Sequence, residues 1–233
     1  MNAILRPAEA RGHANHGWLD TFHSFSFAHY FDPSHMGFRS LRVINDDVVK
    51  PGTGFATHGH RDMEIVTYII DGELAHKDST GQAQTIRKGD VQVMSAGTGI
   101  RHSEFNPSRT NDVRLLQIWI VPQADGLTPA YAQHSFDPAD KANRLALLAG
   151  PAASGAPLTI QQDALVHASQ LQAGQRLAYG LARGRGAWVQ VATGELTVNG
   201  QRMKEGDGLA LEEIETIDIQ ADSDTEFLLF DLA

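Results

Sequence analysis

Two short motifs in the first half of the chain each place two potential metal ligands two positions apart. His58 and His60 form the first pair, and His102 and Glu104 form the second. Because side chains alternate along a β-strand, residues at i and i+2 point to the same face. Two neighbouring strands would then present three imidazoles and one carboxylate to one point. The spacing predicts a site for a single divalent transition-metal ion.

The donor types narrow the choice of ion only partly. Three neutral imidazoles and one carboxylate suit Fe(II), Mn(II), Ni(II), Co(II), Cu(II) and Zn(II). An octahedral ion held by four protein ligands would keep about two positions for water, substrate or dioxygen. The ligand set therefore predicts a site where chemistry can take place, but does not name the metal.

Glu64 competes with Glu104 for the carboxylate position. It has the same parity as His58 and His60, so a regular strand would turn it inward as well. Both carboxylates cannot easily ligate beside three histidines. The one that does not ligate would instead orient a histidine or the incoming ligand. Spacing alone leaves the two assignments open.

The segments around these motifs are short and apolar, and turn signals separate them. Residues 64–70, 91–94 and 115–121 are rich in β-branched and other apolar side chains, with Asp-Gly and Gly-Asp pairs in between. This pattern predicts an all-β sandwich or barrel. Helical periodicity is weak, and one short helix is predicted over residues 138–148. That helix lies in an Ala-, Pro- and Gly-rich stretch that we expect to link two domains.

The second half of the chain reads as a divergent copy of the first. Residues 72–74 and 89–90 are matched, in the same order, by residues 194–196 and 206–207. Aligning these segments puts residues without ligand atoms at all four positions of the site: Gly180, Ala182, Ile219 and Ala221. The predicted organisation is a metal-binding domain over 1–122, a linker with a short helix over 123–157, and a metal-free domain over 158–233.

Eight further histidines are outside the two motifs. We interpret six of them as surface or loop side chains without a functional partner at i+2 or i+4: His13, His16, His35, His76, His134 and His167. His23 and His29 flank Phe25 and Phe27, which alternate with polar residues. Core packing of an N-terminal strand is the first interpretation of this segment, and lining of a substrate pocket is the alternative.

Composition excludes several classes of protein. The formal net charge is −9 and no Lys/Arg cluster stands out, so the chain has no electrostatic footprint for nucleic acid. The absence of cysteine excludes disulfides, thiolate metal sites and cysteine nucleophiles. Residues 1–17 lack the apolar core of a signal peptide, and no segment approaches the roughly 20 apolar residues of a membrane span. The expected compartment is the cytoplasm.

The two motifs resemble those of the cupin superfamily. The usual first motif, G-x5-H-x-H-x(3,4)-E-x6-G, is matched at four positions, Gly52, His58, His60 and Glu64, and its closing Gly72 comes one residue late. The usual second motif, G-x5-P-x-G-x2-H-x3-N, is also matched at four positions: Gly89, Gly97, His102 and Asn106. Ser95 replaces the proline, and two extra residues precede His102.

Within that superfamily, the chain is identified as a member of the pirin family. The segments HGHRDME (58–64), MSAGTGIRHSE (94–104) and HANHGWLDTFHSFSFAHYFDP (13–33) are similar to pirin segments. The resemblance covers essentially the whole chain. It implies an all-β fold of two cupin (jelly-roll) β-barrels, the second of them degenerate. It also implies the ligands His58, His60, His102 and Glu104, and so favours Glu104 over Glu64.

The family resemblance also sets expectations for function. Bacterial pirins of this type are associated with quercetin 2,3-dioxygenase activity, and animal pirins with iron-dependent regulation of transcription factors. We therefore expect a metal-dependent dioxygenase that acts on flavonols and dioxygen, with Fe(II) as the first candidate ion. Glu104 would serve as the catalytic base for the flavonol 3-hydroxyl. The alternative is a metal- or redox-responsive regulator that binds a protein partner.

Overall fold

Alternating and fully apolar segments form strands along almost the whole chain. The computed structural model describes residues 2–233. The first half contains β1 (Asn2–Arg6), β2 (Gly12–Asn15), β3 (Leu19–His23), β4 (Leu41–Val49), β5 (Gly54–His60), β6 (Glu64–Asp71), β7 (Glu73–Asp78), β8 (Ala83–Arg87), β9 (Asp90–Ser95), β10 (Ile100–Phe105), β11 (Val113–Ile120) and β12 (Ala130–Ser135).

The second half continues in the same way. Its strands are β13 (Ala146–Gly150), β14 (Leu158–Thr159), β15 (Ala164–Leu171), β16 (Arg176–Gly180), β17 (Gly186–Thr193), β18 (Glu195–Val198), β19 (Gln201–Lys204), β20 (Gly208–Glu212), β21 (Thr216–Ala221) and β22 (Thr225–Leu232). In residues 2–233, helical structure is limited to α1 (Pro138–Lys141) and two single-turn 3-10 helices, Ala8–Ala10 and Ala152–Ser154. None of these helices is long and apolar enough to cross a membrane.

The strands form two barrels of the same topology. The first combines a seven-stranded sheet, β12-β9-β6-β11-β4-β3-β2, with a four-stranded sheet, β5-β10-β7-β8. The second combines the sheet β1-β20-β17-β22-β15-β13-β14 with the sheet β16-β21-β18-β19. The four-stranded sheets correspond strand by strand: β5 to β16, β10 to β21, β7 to β18 and β8 to β19. The prediction of an all-β fold with two cupin barrels is confirmed.

Each barrel has an apolar interior, and the two barrels share a third core between them. In the first barrel, Ile69 and Leu115 pack against Leu74 and Ile86 of the smaller sheet. The shared core joins the outer faces of the two seven-stranded sheets. It includes Val66, Ile118, Val166, Trp188, Leu228 and Phe230. Strands β6, β11, β17 and β22 are therefore buried on both faces, which explains their nearly continuous apolar sequence.

Two strands pair with strands that lie beyond the predicted domain boundaries. Strand β1, at the start of the chain, pairs with β20 of the second barrel, with Ile4 opposite Ala210. Strand β12, inside the predicted linker, pairs with β9 of the first barrel, with Ala132 opposite Val93. The boundaries 1–122, 123–157 and 158–233 stay a prediction. The sheets themselves exchange strands across these boundaries.

The predicted helix over residues 138–148 is correct only in its first turn. A capping box made by Asp137 and Asp140 starts α1, and the helix ends at Lys141. Asn143 then takes a left-handed conformation with φ 55°. The apolar residues that follow pair with β15 as strand β13. Sheet pairing has therefore overridden the helical pattern in this segment.

Candidate metal centre

Strands β5 and β10 lie side by side and carry both predicted motifs. They pair antiparallel, with His102 opposite His58 and Ile100 opposite His60. The register shifts between His102 and Glu104, where a bulge separates the second pair. Three of the predicted ligands thus meet because two short strands face each other, as their i and i+2 spacing indicated.

The Nε2 atoms of three imidazoles converge on one point. His102 Nε2 lies 2.9 Å from His60 Nε2 and 3.0 Å from His58 Nε2. An imidazole nitrogen carries either a proton or a lone pair, so His102 Nε2 cannot donate to one neighbour and accept from the other. Two nitrogens bound at about 2.1 Å to one ion, at a right angle, lie roughly 3.0 Å apart. The spacing fits three lone pairs directed at one divalent cation.

Burial keeps the imidazoles of His60 and His102 neutral. It lowers the pKa of His60 to about 4, and the neighbouring His58 lowers it further in the same direction. Burial also lowers the pKa of His102 to about 3, with added repulsion from His58 and His60. Near neutral pH both rings offer a lone pair, as a metal ligand must.

Glu104 lies beside His102 and is completely enclosed. Burial raises the pKa of its carboxyl group to about 7, although a hydrogen bond from Gln117 acts in the opposite direction. Gln117 Nε2 donates to both carboxyl oxygens, at 3.3 and 3.1 Å. In residues 2–233, two groups of side chains have ligand atoms within 4.8 Å of one another: His58, His60 and His102; and His76, His102 and Glu104. Glu104 is thus close to the centre, and its role as fourth ligand stays a prediction.

Glu64 does not take part in either group. A turn at Asp62, with φ 49°, separates β5 from β6 and breaks the alternation assumed from the sequence. The Glu64 carboxylate instead accepts hydrogen bonds from Ser95 Oγ at 2.7 Å and from the backbone N–H of Gln161 at 3.2 Å. These contacts do not include a histidine, so the structure does not support the expectation that Glu64 orients one. A contact of Glu64 with the incoming ligand stays a prediction. The Glu64 side chain joins the first barrel to the connection between β14 and β15 of the second.

His76 is the residue that the sequence interpretation missed. Only 2% of it is exposed, and its Nδ1 lies 3.4 Å from Nδ1 of His102. Its partner at i+2 is Asp78, which lies on the same face of β7 and contacts His76 Nε2 at 3.2 Å. The same His-x-ligand spacing that identified the other two pairs was therefore present here. His167 is also buried rather than on the surface, inside the second half of the chain.

A cavity of ≈ 690 Å³ opens beside the three imidazoles. Aromatic side chains make up much of its wall: Trp18, Phe27, Tyr30, Phe55 and Trp119. His58, His60 and Glu104 also line it. His23 and His29 lie in the same wall, which favours the pocket interpretation of that N-terminal segment. The site is therefore a cluster of converging imidazoles, suited to hold a metal ion, at the side of an aromatic pocket.

The corresponding strands of the second barrel carry apolar residues. In the pair β16–β21, Leu177 lies opposite Ile219 and Tyr179 opposite Ile217. These side chains pack into the apolar core of that barrel, together with Ala221. The donor groups and the pocket belong to the first barrel, and the absence of a metal from the second stays a prediction.

Two family models match the two halves of the chain. Residues 5–120 match the family described as Pirin, and residues 147–232 match the Quercetinase C-terminal cupin domain. The quercetin 2,3-dioxygenase of Escherichia coli (strain K12) is 50% identical over 228 residues, which cover 98% of this chain and 97% of that protein. A pirin-like protein of Caulobacter vibrioides is 42% identical over 231 residues and is covered to 98%, as is this chain.

Solved structures show the same likeness. The bacterial pirin YhhW from Escherichia coli, in complex with nickel(II), superposes with a TM-score of 0.94 at 47% identity and 99% coverage of both chains. The likeness extends over both barrels and confirms the resemblance to the pirin family. This chain is a metal-dependent cupin and belongs to the pirin family.

Proposed function

We propose that this protein is a metal-dependent dioxygenase that cleaves flavonols such as quercetin. The observation that carries the proposal is the convergence of three imidazole Nε2 atoms at the wall of an aromatic cavity. Sites for small molecules are commonly concave, largely apolar and about 300–1,000 Å³ in volume. A cavity of ≈ 690 Å³ lined by tryptophan, tyrosine and phenylalanine suits a flat aromatic substrate.

The ion would be held by His58, His60 and His102, with Glu104 as the proposed fourth ligand. A divalent cation would supply Lewis-acid character and lower the pKa of the flavonol 3-hydroxyl. Glu104 would accept that proton as the carboxylate loosens from the ion. In the metal-free protein burial raises its pKa to about 7, and a bound cation would lower it. Gln117 holds the carboxyl group in place by donating to both oxygens.

Aromatic side chains fix the imidazoles and shape the pocket. Trp119 packs edge-on against His60, with ring centroids 5.0 Å apart. Phe27 in turn packs edge-on against Trp119 at 5.3 Å. Such contacts restrict ring rotation and keep water away from the reacting atoms. The overall reaction would consume one dioxygen and release one carbon monoxide as the heterocyclic ring opens.

The related proteins support this proposal and leave the ion to be measured. The quercetin 2,3-dioxygenase of Escherichia coli is similar over the full length of the chain. We propose Fe(II) as the resident ion, with Ni(II) as the first alternative because the related YhhW structure is in complex with nickel(II). The concave aromatic pocket favours chemistry on a small molecule over the alternative of a regulator that binds a protein partner.

The test is turnover by protein of known metal content. Wild-type protein is stripped of metal, reloaded with Fe(II) or Ni(II), and assayed with quercetin for oxygen uptake and carbon monoxide release. His58→Ala and His102→Ala should lose both bound metal and turnover, because each removes a converging Nε2. His134→Ala is the matched control, since that side chain is exposed and does not belong to the cluster. Oxygen uptake by a variant shown to be metal-free would contradict the proposal.

A further inference from the structure

Two buried side chains, His76 and Asp78, follow one another on the Nδ1 side of His102, opposite the Nε2 atom that faces the proposed metal site. Nδ1 of His76 faces Nδ1 of His102 at 3.4 Å, and Nε2 of His76 faces Oδ2 of Asp78 at 3.2 Å. The side chains of His76 and Asp78 are 0% exposed. The three residues therefore form a chain of hydrogen bonds that leads away from the cavity, with no access for solvent to replace a partner.

The far end of this chain is fixed by backbone groups. Asp78 Oδ1 accepts hydrogen bonds from the backbone N–H of Thr80 at 2.8 Å, the hydroxyl of Thr80 at 2.6 Å and the backbone N–H of Gln82 at 3.2 Å. Oδ1 can therefore only be an acceptor, and Oδ2 is left to face His76. Tyr131 packs on the His76 ring with centroids 4.9 Å apart, which limits its rotation.

With neutral imidazoles, these contacts allow a single arrangement of protons. Asp78 Oδ2 accepts, so His76 carries its proton on Nε2 and has a lone pair on Nδ1. His102 must then donate from Nδ1, which leaves a lone pair on its Nε2. That lone pair points to the place where the Nε2 atoms of His58 and His60 converge.

We infer that Asp78 and His76 are positioning residues, which fix the tautomer of His102 and hold its Nε2 lone pair toward the metal. Second partners of metal-bound histidines commonly raise metal affinity by about 10–100-fold. The inference rests on the proposed metal site, but does not depend on the reaction that the site catalyses. It gives His76 a role distinct from that of a ligand, although His76, His102 and Glu104 lie close together.

Asp78→Asn tests the inference because it should reverse the two hydrogen bonds that link Asp78 to His76 and His76 to His102. The two backbone N–H groups of Thr80 and Gln82 require the amide oxygen at the Oδ1 position. The amide NH₂ would then donate to His76 Nε2 and shift the His76 proton to Nδ1. His102 would have to accept at Nδ1 and carry its proton on Nε2, where it blocks the metal.

The experiment combines two measurements on the full-length protein. Long-range ¹H–¹⁵N spectra of the metal-free protein report which nitrogen of His102 is protonated, and titration with nickel(II) gives its affinity. We expect an Nδ1–H tautomer in the wild type and an Nε2–H tautomer in Asp78→Asn. We also expect nickel(II) to bind Asp78→Asn about 10–100-fold more weakly.

His76→Phe provides the second arm, because it removes the connection while keeping an aromatic ring against Tyr131. In that background, Asp78→Asn should change nickel(II) affinity less than about twofold, since the amide can no longer act on His102. Asp207→Asn is the matched control. Asp207 is also buried and accepts from the backbone N–H groups of Ala8 and Lys204, far from the centre. Its substitution should leave nickel(II) affinity unchanged.

Three outcomes would overturn the inference. The first is wild-type protein that binds nickel(II) while Asp78→Asn binds it equally well. The second is an Nε2–H tautomer of His102 in the wild type. The third is a loss of metal in His76→Phe as complete as in His58→Ala, which would make His76 a ligand. Wild-type protein that binds no nickel(II) would overturn the metal site itself. Wild-type protein that binds metal but shows no dioxygenase activity would overturn only the proposed function.

Discussion

At the scale of single residues, one site holds groups whose pKa values are pushed in opposite directions by the same cause. Burial lowers the pKa of His60 to about 4 and that of His102 to about 3, whereas it raises the pKa of Glu104 to about 7. Burial disfavours the charged form in each case. All three groups are therefore neutral in the metal-free protein at mildly acidic pH.

Glu104 should consequently release about one proton per ion when metal binds at pH 6. The two histidines already lack the extra proton, so they contribute none. Glu104 is protonated below its pKa of about 7 and must lose that proton if it ligates the ion. Calorimetric titration with nickel(II) in buffers of different ionisation enthalpy measures the release. It should fall toward zero as the pH rises above 8, where Glu104 is already ionised.

Glu104→Gln is the matched variant for this measurement. It keeps the size of the side chain and removes the titrating group, so proton release at pH 6 should fall by about one per ion relative to the wild type. The three imidazoles should still bind nickel(II), but more weakly. Equal proton release from the variant and the wild type would show that Glu104 is not the group that loses the proton.

The spacing of residues along the sequence predicted three histidines of this centre. His58, His60 and His102 were predicted because i and i+2 residues share a strand face, and the pairing of β5 with β10 brings them together. The same rule failed for Glu64, because the turn at Asp62 resets the alternation. His76 was missed although Asp78 stands at i+2. Its closeness to His102 depends on pairing of β7 with β10, which local spacing does not reveal.

At the scale of elements, the centre depends on how closely β5 approaches β10. Gly54 lies opposite Phe105 in this pair. A Cβ atom at Gly54 would overlap the backbone carbonyl oxygen of Glu104 and would lie 2.6 Å from Cα of Phe105. The strands can therefore stay in contact at this end only because residue 54 has no side chain.

Gly54→Ala should loosen the site without touching a ligand. The added methyl group forces β5 away from β10, and metal sites tolerate ligand displacements of only about 0.2 Å. We expect at least about tenfold weaker nickel(II) binding and a loss of roughly 1–3 kcal/mol in unfolding free energy, as for other overpacked positions. Metal titration and urea unfolding measure the two effects.

Gly180→Ala is the control for that substitution. Gly180 ends β16, the strand of the second barrel that corresponds to β5, and a Cβ there would meet no atom within 4 Å. Its substitution should leave both metal affinity and stability nearly unchanged. Nickel(II) binding by Gly54→Ala as tight as that of wild type would show that the strand approach does not set the geometry.

Strands were predictable from the sequence where a local pattern of apolar and turn residues marks them. They were not predictable where pairing with a strand far along the chain determines the structure. Turn signals and apolar runs located β6, β9 and β11 of the first barrel. The segment that forms β13 reads as the end of a helix, but pairs with β15 in a sheet. Likewise, the sequence does not show that β12 adds to β9, because no local pattern specifies a partner so far along the chain.

At the scale of the whole molecule, one topology is used twice, and the converging donor groups lie in one copy. The two barrels are joined by their shared apolar core and by a buried polar contact. In this contact Tyr68 of the first barrel donates to Glu226 of the second, and Lys141 Nζ donates to Tyr68 at 3.0 Å. The second barrel thus supports the sheet that carries Gln117, whose amide holds Glu104. This asymmetry predicts one metal ion per chain.

The most direct test of that claim is to locate the metal by anomalous diffraction at the nickel absorption edge, on crystals of nickel(II)-loaded protein. We predict one anomalous peak per chain, roughly 2.0–2.2 Å from the Nε2 atoms of His58, His60 and His102. No peak should lie between β16 and β21 of the second barrel. A peak at another group of side chains, or none near these three histidines, would contradict the assignment of this site.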